Sequence, residues 1–187
     1  MSLSETRPLR KDWRRFAVLL LALPAGGCFQ PLYGEAVHPG LAADMQAIAI
    51  DPITAVNPVG SLQDDYSRIA HYLGDDLLAD LNGTGSTPEP KYRLTVTFSL
   101  STATPTVTSQ IQVANAATVT VVATFNLKAV GGSAPLMSST ATSVTVYDRT
   151  EDRFANLRAG RDAEIRASKS LAEEIELRLA AYLGDKK

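Results

Sequence analysis

Hydrophobic and polar residues alternate most regularly in the eleven residues 91–101, KYRLTVTFSLS. There Tyr92, Leu94, Val96, Phe98 and Leu100 are separated by Lys91, Arg93, Thr95, Thr97, Ser99 and Ser101. A period of two over that length predicts a strand with one buried and one wet face. Two further strands are predicted at about 113–129, with Val119, Val121, Ala123, Phe125 and Leu127 on one side, and at about 136–147, ending at Tyr147. Residues 102–112, with Pro105 and several threonines, read as a long hairpin tip, and Gly131-Gly132 as a turn. The period changes at 61–82. Leu62, Tyr66, Ile69, Leu73, Leu77 and Leu81 recur at steps of three and four, the face of a helix. Ser61 is placed to cap this helix, Asn82-Gly83 to end it, and Gly74 inside it marks close packing or a cost of about 1 kcal/mol against alanine. A second helix is predicted at 158–183, with Ile165, Ser168, Leu171, Ala172, Ile175, Leu179 and Leu183 as its stripe and Gly184 as its stop. At its ordinary rise it is roughly 39 Å long, enough to cross a small sheet. MQAIAI, 45–50, alternates weakly and predicts a short strand. One-faced strands need a cover, and two amphipathic helices supply it. The expected fold is α+β, an antiparallel-rich four-stranded sheet with both helices packed on one face.

The start of the chain follows neither period. Arg7, Arg10, Lys11, Arg14 and Arg15 precede the uncharged run FAVLLLAL at 16–23, and then come Pro24, Ala25, Gly26, Gly27 and Cys28. Basic, apolar and small residues in that order form a secretory signal peptide. The apolar run is shorter than the ~20 residues a membrane-spanning helix needs. Cys28 is the only cysteine of the chain, so no intramolecular disulfide is available to it. A free thiol in an oxidising compartment is reactive unless it is chemically consumed. A signal ending in small residues and cysteine resembles the bacterial lipoprotein signal, although the third residue before the cysteine is Ala25 rather than the usual leucine. The resemblance implies lipidation of Cys28 as the first mature residue; an ordinary signal with a chance cysteine is the alternative. Each buried methylene of such a lipid contributes ~0.8 kcal/mol, and a second chain already makes anchoring stable. The expected organisation is a signal peptide at 1–27, a lipid-anchored tether at 28–44 rich in Pro and Gly, and a single α+β domain at 45–187.

Charge sharpens this picture. The whole chain carries a formal net charge of −2, and loss of the five basic and two acidic residues in 1–27 leaves −5. A nucleic-acid binder would show a basic stripe instead. Between Leu94 and Tyr147 the only charged residue is Lys128. The polar side of the sheet is thus made of Thr95, Thr97, Ser99, Thr118, Thr120, Thr124 and Asn126, where a free sheet ordinarily places charges. Two readings fit. Threonine simply suits strands; or the face is covered by another protein, for which the polar lumen of an outer-membrane barrel would be a suitable surface.

Candidate chemistry is sparse. Asp64-Asp65 and Asp75-Asp76 are adjacent carboxylates that diverge by about 100° on a helix. His71 and Asp75 stand one turn apart, and two ligands do not make a metal site; His38, the other histidine, lies in the tether. There is no G-x-S-x-G, and GTGS lacks the rest of a phosphate loop. No enzyme activity, metal or cofactor beyond the lipid on Cys28 is expected. Lys91, Arg93 and Lys128, on or beside strands, are the candidate ligand-binding residues, with ordinary solubilising charge as the other reading. Arg149, Arg153, Arg158 and Arg161, interleaved with Asp148, Glu151, Asp152 and Asp162, read as a locally paired mixture.

Cys28, Phe29, Pro31, Leu32, Tyr33 and Gly34, in the stretch CFQPLYG, resemble the start of the LptE family of lipopolysaccharide-assembly lipoproteins, though here the aromatic follows the cysteine directly and Gly26-Gly27 precede it. The layout of a long threonine-rich hairpin and a closing helix is similar as well. The resemblance implies an outer-membrane lipoprotein on the periplasmic side. It would plug and help assemble an LptD-type β-barrel, move lipopolysaccharide to the cell surface and contact lipopolysaccharide itself. A standalone periplasmic lipoprotein that binds an envelope ligand is the alternative.

Overall fold

The structure, a computed structural model, describes residues 39–56, 58, 63–83, 88–104 and 116–186. The expected signal peptide, Cys28, most of the tether, the hairpin tip and the Ser61 cap lie outside the described residues. The elements are α1 (Leu41–Gln46), β1 (Ile48–Ile50), β2 (Thr54–Ala55), α2 (Gln63–Asn82), β3 (Tyr92–Ala103), β4 (Ala116–Ala129), β5 (Pro135–Asp148) and α3 (Arg153–Asp185).

β3, β4 and β5 form the antiparallel meander that the alternation predicts, with Leu94 opposite Leu127, Phe98 opposite Ala123 and Ala123 opposite Ala141. Gly131, at φ 80°, supplies the left-handed residue of the β4–β5 turn, a conformation open to glycine at no steric cost. The sheet has five strands, one more than expected, because β1 and β2 both run parallel to β3 along its outer edge. Pro52 explains the division. It has no N–H to give to a ladder, so the pairing stops after Asp51 N–H reaches Leu94 O at 2.9 Å and resumes until Val56 N–H reaches Phe98 O at 2.7 Å. A two-residue strand is too short to show a period. The parallel direction follows from the helical crossover α2 between β1–β2 and β3.

Both long helices cover one face of the sheet. Leu94, Val96, Phe98, Val121, Phe125 and Leu127 of the strands meet Ile69, Leu73 and Leu77 of α2 and Leu171, Ile175 and Leu179 of α3, all fully or almost fully buried. Each such side chain contributes about 1.5–3 kcal/mol relative to exposure. Arg68 ties the two helices together across the core margin. Its Nε donates to Glu164 Oε2 at 3.1 Å, and its Nη2 bonds Asp65 one turn earlier. Among the described residues no helix is long and apolar enough to cross a membrane.

Three expectations are corrected. Met45 and Gln46 belong to α1 rather than to a strand, and Leu41 and Met45 are buried, so the core already holds chain that the sequence assigns to the tether. The last helix begins at Arg153 and runs through Gly184 to Asp185, giving 33 residues. Its start is hidden in the sequence because Phe154 and Leu157 are exposed and interrupt the stripe; the signal is Asp152, whose carboxylate accepts from Phe154 N–H at 2.8 Å and Ala155 N–H at 3.3 Å. Ile165 lies off the stripe, which reaches the expected Ser168 through Ala163 and Ala167 instead.

Candidate functional site

The face of the sheet opposite the helices is built by the register. Its rows are Arg93–Lys128, Thr95–Asn126–Ser138, Thr97–Thr124–Thr140, Ser99–Val122–Thr142, Ser101–Thr120–Val144 and Thr118–Val146. Beyond the first row it is uncharged. Thr124, Thr140 and Thr142 are exposed, and Val144 and Val146 are more than half exposed at 59% and 53%. Valines in solvent among threonines are what β-propensity alone would tolerate, yet they add apolar area to a neutral hydroxyl surface.

Both edges of this face are occupied. β1 and β2 lie along β3. At the other edge, side chains of α3 reach round to the backbone of β5. Glu174 Oε2 accepts from Thr142 N–H at 3.1 Å, Arg178 Nη1 donates to Thr140 O at 2.6 Å, and Arg166 Nη2 donates to Val146 O at 3.3 Å. Arg178 also bonds Ser139 Oγ at 2.7 Å and Glu174 itself. A charged side chain that satisfies an edge carbonyl or amide removes a template for strand pairing. The β5 rim is thus partly satisfied, and the broad side of the sheet remains open.

Lys91, Arg93 and Lys128, the three cations expected to meet a ligand, do come together at one corner of this face, Arg93 and Lys128 as direct cross-strand partners. The corner is largely compensated from within. Lys91 Nζ lies 3.0 Å from Asp44 Oδ1, and Arg93 Nη1 lies 2.6 Å from Asp51 Oδ1, while Thr95 Oγ1 donates to Asp51 Oδ2 at 2.9 Å. Burial opposes ionisation of Asp51, but the hydrogen bonds of Arg93 and Thr95 and the charges of Arg93 and Lys128 outweigh it and hold the carboxyl below its ordinary range. The hydrogen bond to Asp44 and its charge raise Lys91 above the usual ammonium value. Three cations against two carboxylates leave an excess of one. Asp44 and Asp51 stand more than 40 residues from their partners, and nothing in a single sequence signals such a pairing.

The other singled-out residues separate. His71 Nε2 is 3.3 Å from Asp75 Oδ2, with both side chains well exposed. Asp65 is spent on Arg68. Asp76 turns toward α3, where burial first, and then Asp80, push its carboxyl above the ordinary value.

No protein-family model and no curated protein matches the chain. Among solved structures it is similar in fold to a candidate lipoprotein from Caulobacter crescentus CB15, at 21% identity and a TM-score of 0.52, over 80% of this chain and 98% of that one. Weaker likenesses are to a minor lipoprotein from Acinetobacter baumannii, at 15% identity and a TM-score of 0.46 over 69% and 90% of the two chains. Rare lipoprotein B from Shewanella oneidensis is similar at 9% identity and a TM-score of 0.42 over 70% and 96%.

Proposed function

We propose that the protein is an exported envelope lipoprotein, anchored through Cys28 on the periplasmic side of the outer membrane, that acts without enzymatic chemistry as the plug and assembly partner of an LptD-type β-barrel in lipopolysaccharide transport. The observation that carries this reading is the broad neutral sheet face. Helices cover its back and side chains of α3 bond its β5 edge, while Thr124, Thr140, Thr142, Val144 and Val146 stand in solvent. Neutral hydroxyls can be enclosed by a polar barrel lumen at small cost if they find hydrogen-bond partners, whereas charges cannot. The anchored part of the proposal is supported by the basic–apolar–small–cysteine order of residues 7–28. The Caulobacter protein that shares the fold is itself described as a candidate lipoprotein. Lys91, Arg93 and Lys128 are the proposed point at which lipopolysaccharide phosphate approaches the face, exchanging contacts with Asp44 and Asp51.

The test is purification of the native protein from outer membranes in mild detergent. The expected result is a large β-barrel recovered in fixed ratio, together with palmitate label that disappears in Cys28→Ser. A lone monomer carrying lipid would replace the plug with a standalone ligand-binding lipoprotein, and unlabelled protein free in the periplasm would remove both.

A further inference from the structure

A cleft of about 700 Å³ opens where the end of β5, the loop 149–152 and the first turns of α3 meet α2, far along the fold from the Arg93–Lys128 corner. Among its lining residues are four arginines, Arg68, Arg149, Arg153 and Arg161, and three carboxylates, Asp65, Glu151 and Glu164. They are not equally free. Arg68 takes both Asp65 and Glu164, through Nη2 to Asp65 and through Nε and Nη2 to Glu164 at 3.1 and 3.3 Å. Arg149, Arg153 and Arg161 line the rest of the cleft with Glu151, and none of the three makes a hydrogen bond or ion pair among the described residues, although the charge of Arg161 acts on Glu164. The local pairing expected from the alternating charges of this segment is therefore absent for these three arginines, and the lining as a whole carries an excess of one positive charge.

The first turn of α3 begins with Arg153 and contains no acidic residue; the anion at this helix end is the capping carboxylate of Asp152, which is held by Phe154 N–H and Ala155 N–H. The loop that carries Arg149 is held in shape rather than left loose. Thr150 N–H donates to Asn156 Oδ1 at 2.7 Å, and Asn156 Nδ2 donates back to Thr150 O at 2.8 Å. Planar guanidinium forks, each with several unfilled donors, recognise phosphate in bidentate fashion, and a phosphate monoester carries about −1.5 to −2 at neutral pH.

We propose that this cleft binds a phosphate monoester group, held by Arg149, Arg153 and Arg161. The group could belong to a soluble phosphorylated molecule or to the headgroup of a lipid. Phe154, 79% exposed beside Arg153, and Leu157 on the cleft wall would meet the apolar part of a lipid. The site goes beyond the barrel-plug reading and does not depend on it.

The test uses the full-length protein in detergent, with inorganic phosphate as the first probe and vesicles of neutral lipid with or without phosphatidic acid as the second. Saturable phosphate binding is expected. The combined variant Arg149→Gln, Arg153→Gln, Arg161→Gln should weaken it by about tenfold or more. Glu151→Gln, at an exposed loop position, should bind phosphate more tightly than the wild type, so the proposal stays open to refutation even if the triple variant fails to fold. Phe154→Ser distinguishes the sources. Loss of phosphatidic-acid vesicle binding with phosphate binding intact identifies a lipid headgroup, and phosphate binding with no vesicle preference identifies a soluble ligand. No saturable response to phosphate, an unchanged affinity in the arginine variant, or weaker binding in Glu151→Gln would overturn the proposal.

Discussion

Thr124→Lys is the sharpest perturbation of the open face. Thr124 sits on the central strand of the β3–β4–β5 meander, with Thr97 and Thr140 directly across from it and Val122 and Asn126 as its same-face neighbours. It is exposed, so a lysine ammonium there remains in water in the free protein. The change replaces a good strand former with a poorer one, a cost of at most about 1 kcal/mol, and the row contains no like charge to repel it. In an enclosed complex the ammonium would lose its hydration against neutral hydroxyls with no carboxylate in its row. An effective desolvation penalty of about 4 kcal/mol is in the range for a buried ion without a partner, and it corresponds to roughly a thousandfold loss of affinity. The assay is two measurements on one variant: thermal unfolding of the purified protein, and recovery of the barrel with it from outer membranes. Near-unchanged unfolding with barrel recovery abolished is the expected pair. Full recovery of the barrel at wild-type expression would show that this face is not the enclosed one.

The other predictions are smaller. Gly74→Ala should stabilise the protein by about 0.5–1 kcal/mol in urea unfolding, because a Cβ there would meet Ile53 Cδ1 at an ordinary 3.7 Å and the helix would gain propensity. Arg68→Met should destabilise by about 2 kcal/mol, less than a fully buried pair would lose because the Arg68 side chain is 25% exposed, and Glu164→Gln added to it should restore part of the loss. Burial raises the pKa values of Glu164, Glu176 and Asp76 above their ordinary values of 4.5, 4.5 and 3.8, in Glu164 against the hydrogen bond and charge of Arg68 and in the other two with help from neighbouring carboxylates, so the native state binds protons more tightly than the unfolded one. Their contribution to stability therefore grows as pH falls through the raised values and is lost as pH rises through them. Asp51, held low, has the opposite sign, and its contribution disappears as pH falls through its depressed value. Urea unfolding at pH 7 and at pH 5 should show the greater stability at pH 5, with decline on further acidification. Neutralising Lys91, Arg93 and Lys128 together should weaken lipopolysaccharide binding in a direct assay, and unchanged affinity would remove that corner from the ligand path.

The parts of the fold that were legible are those in which one residue type repeats at one period. β3 and β4 announce themselves through Leu94–Leu100 and Val119–Leu127, and α2 through Ile69–Leu77, because burial of one face forces a single spacing. What stayed hidden depends on partners distant in sequence. β2 exists only because β3 offers an edge beyond Pro52. The start of α3 is set by a single capping side chain, and its stripe switches to alanines where it runs close to the sheet. The open face was readable from composition, since Lys128 is the only charged residue between Leu94 and Tyr147. The compensation of its cationic corner was not, because Asp44 and Asp51 are brought to Lys91 and Arg93 by the parallel strand β1 rather than by local spacing. The cleft arginines were visible as a cluster but misjudged as self-paired, since interleaving along the chain does not fix which way each side chain leaves a helix or loop.

The bonds from Glu174, Arg178 and Arg166 to the backbone of β5 come from an element that follows β5 in the chain. During synthesis, which proceeds from the N-terminus, the meander can therefore emerge with its last strand bare, and remains sticky until α3 arrives to close it. Such an interval exposes a flat, neutral ribbon to its own kind. The newborn molecule should accordingly need shielding for a period set by the delivery of its final helix.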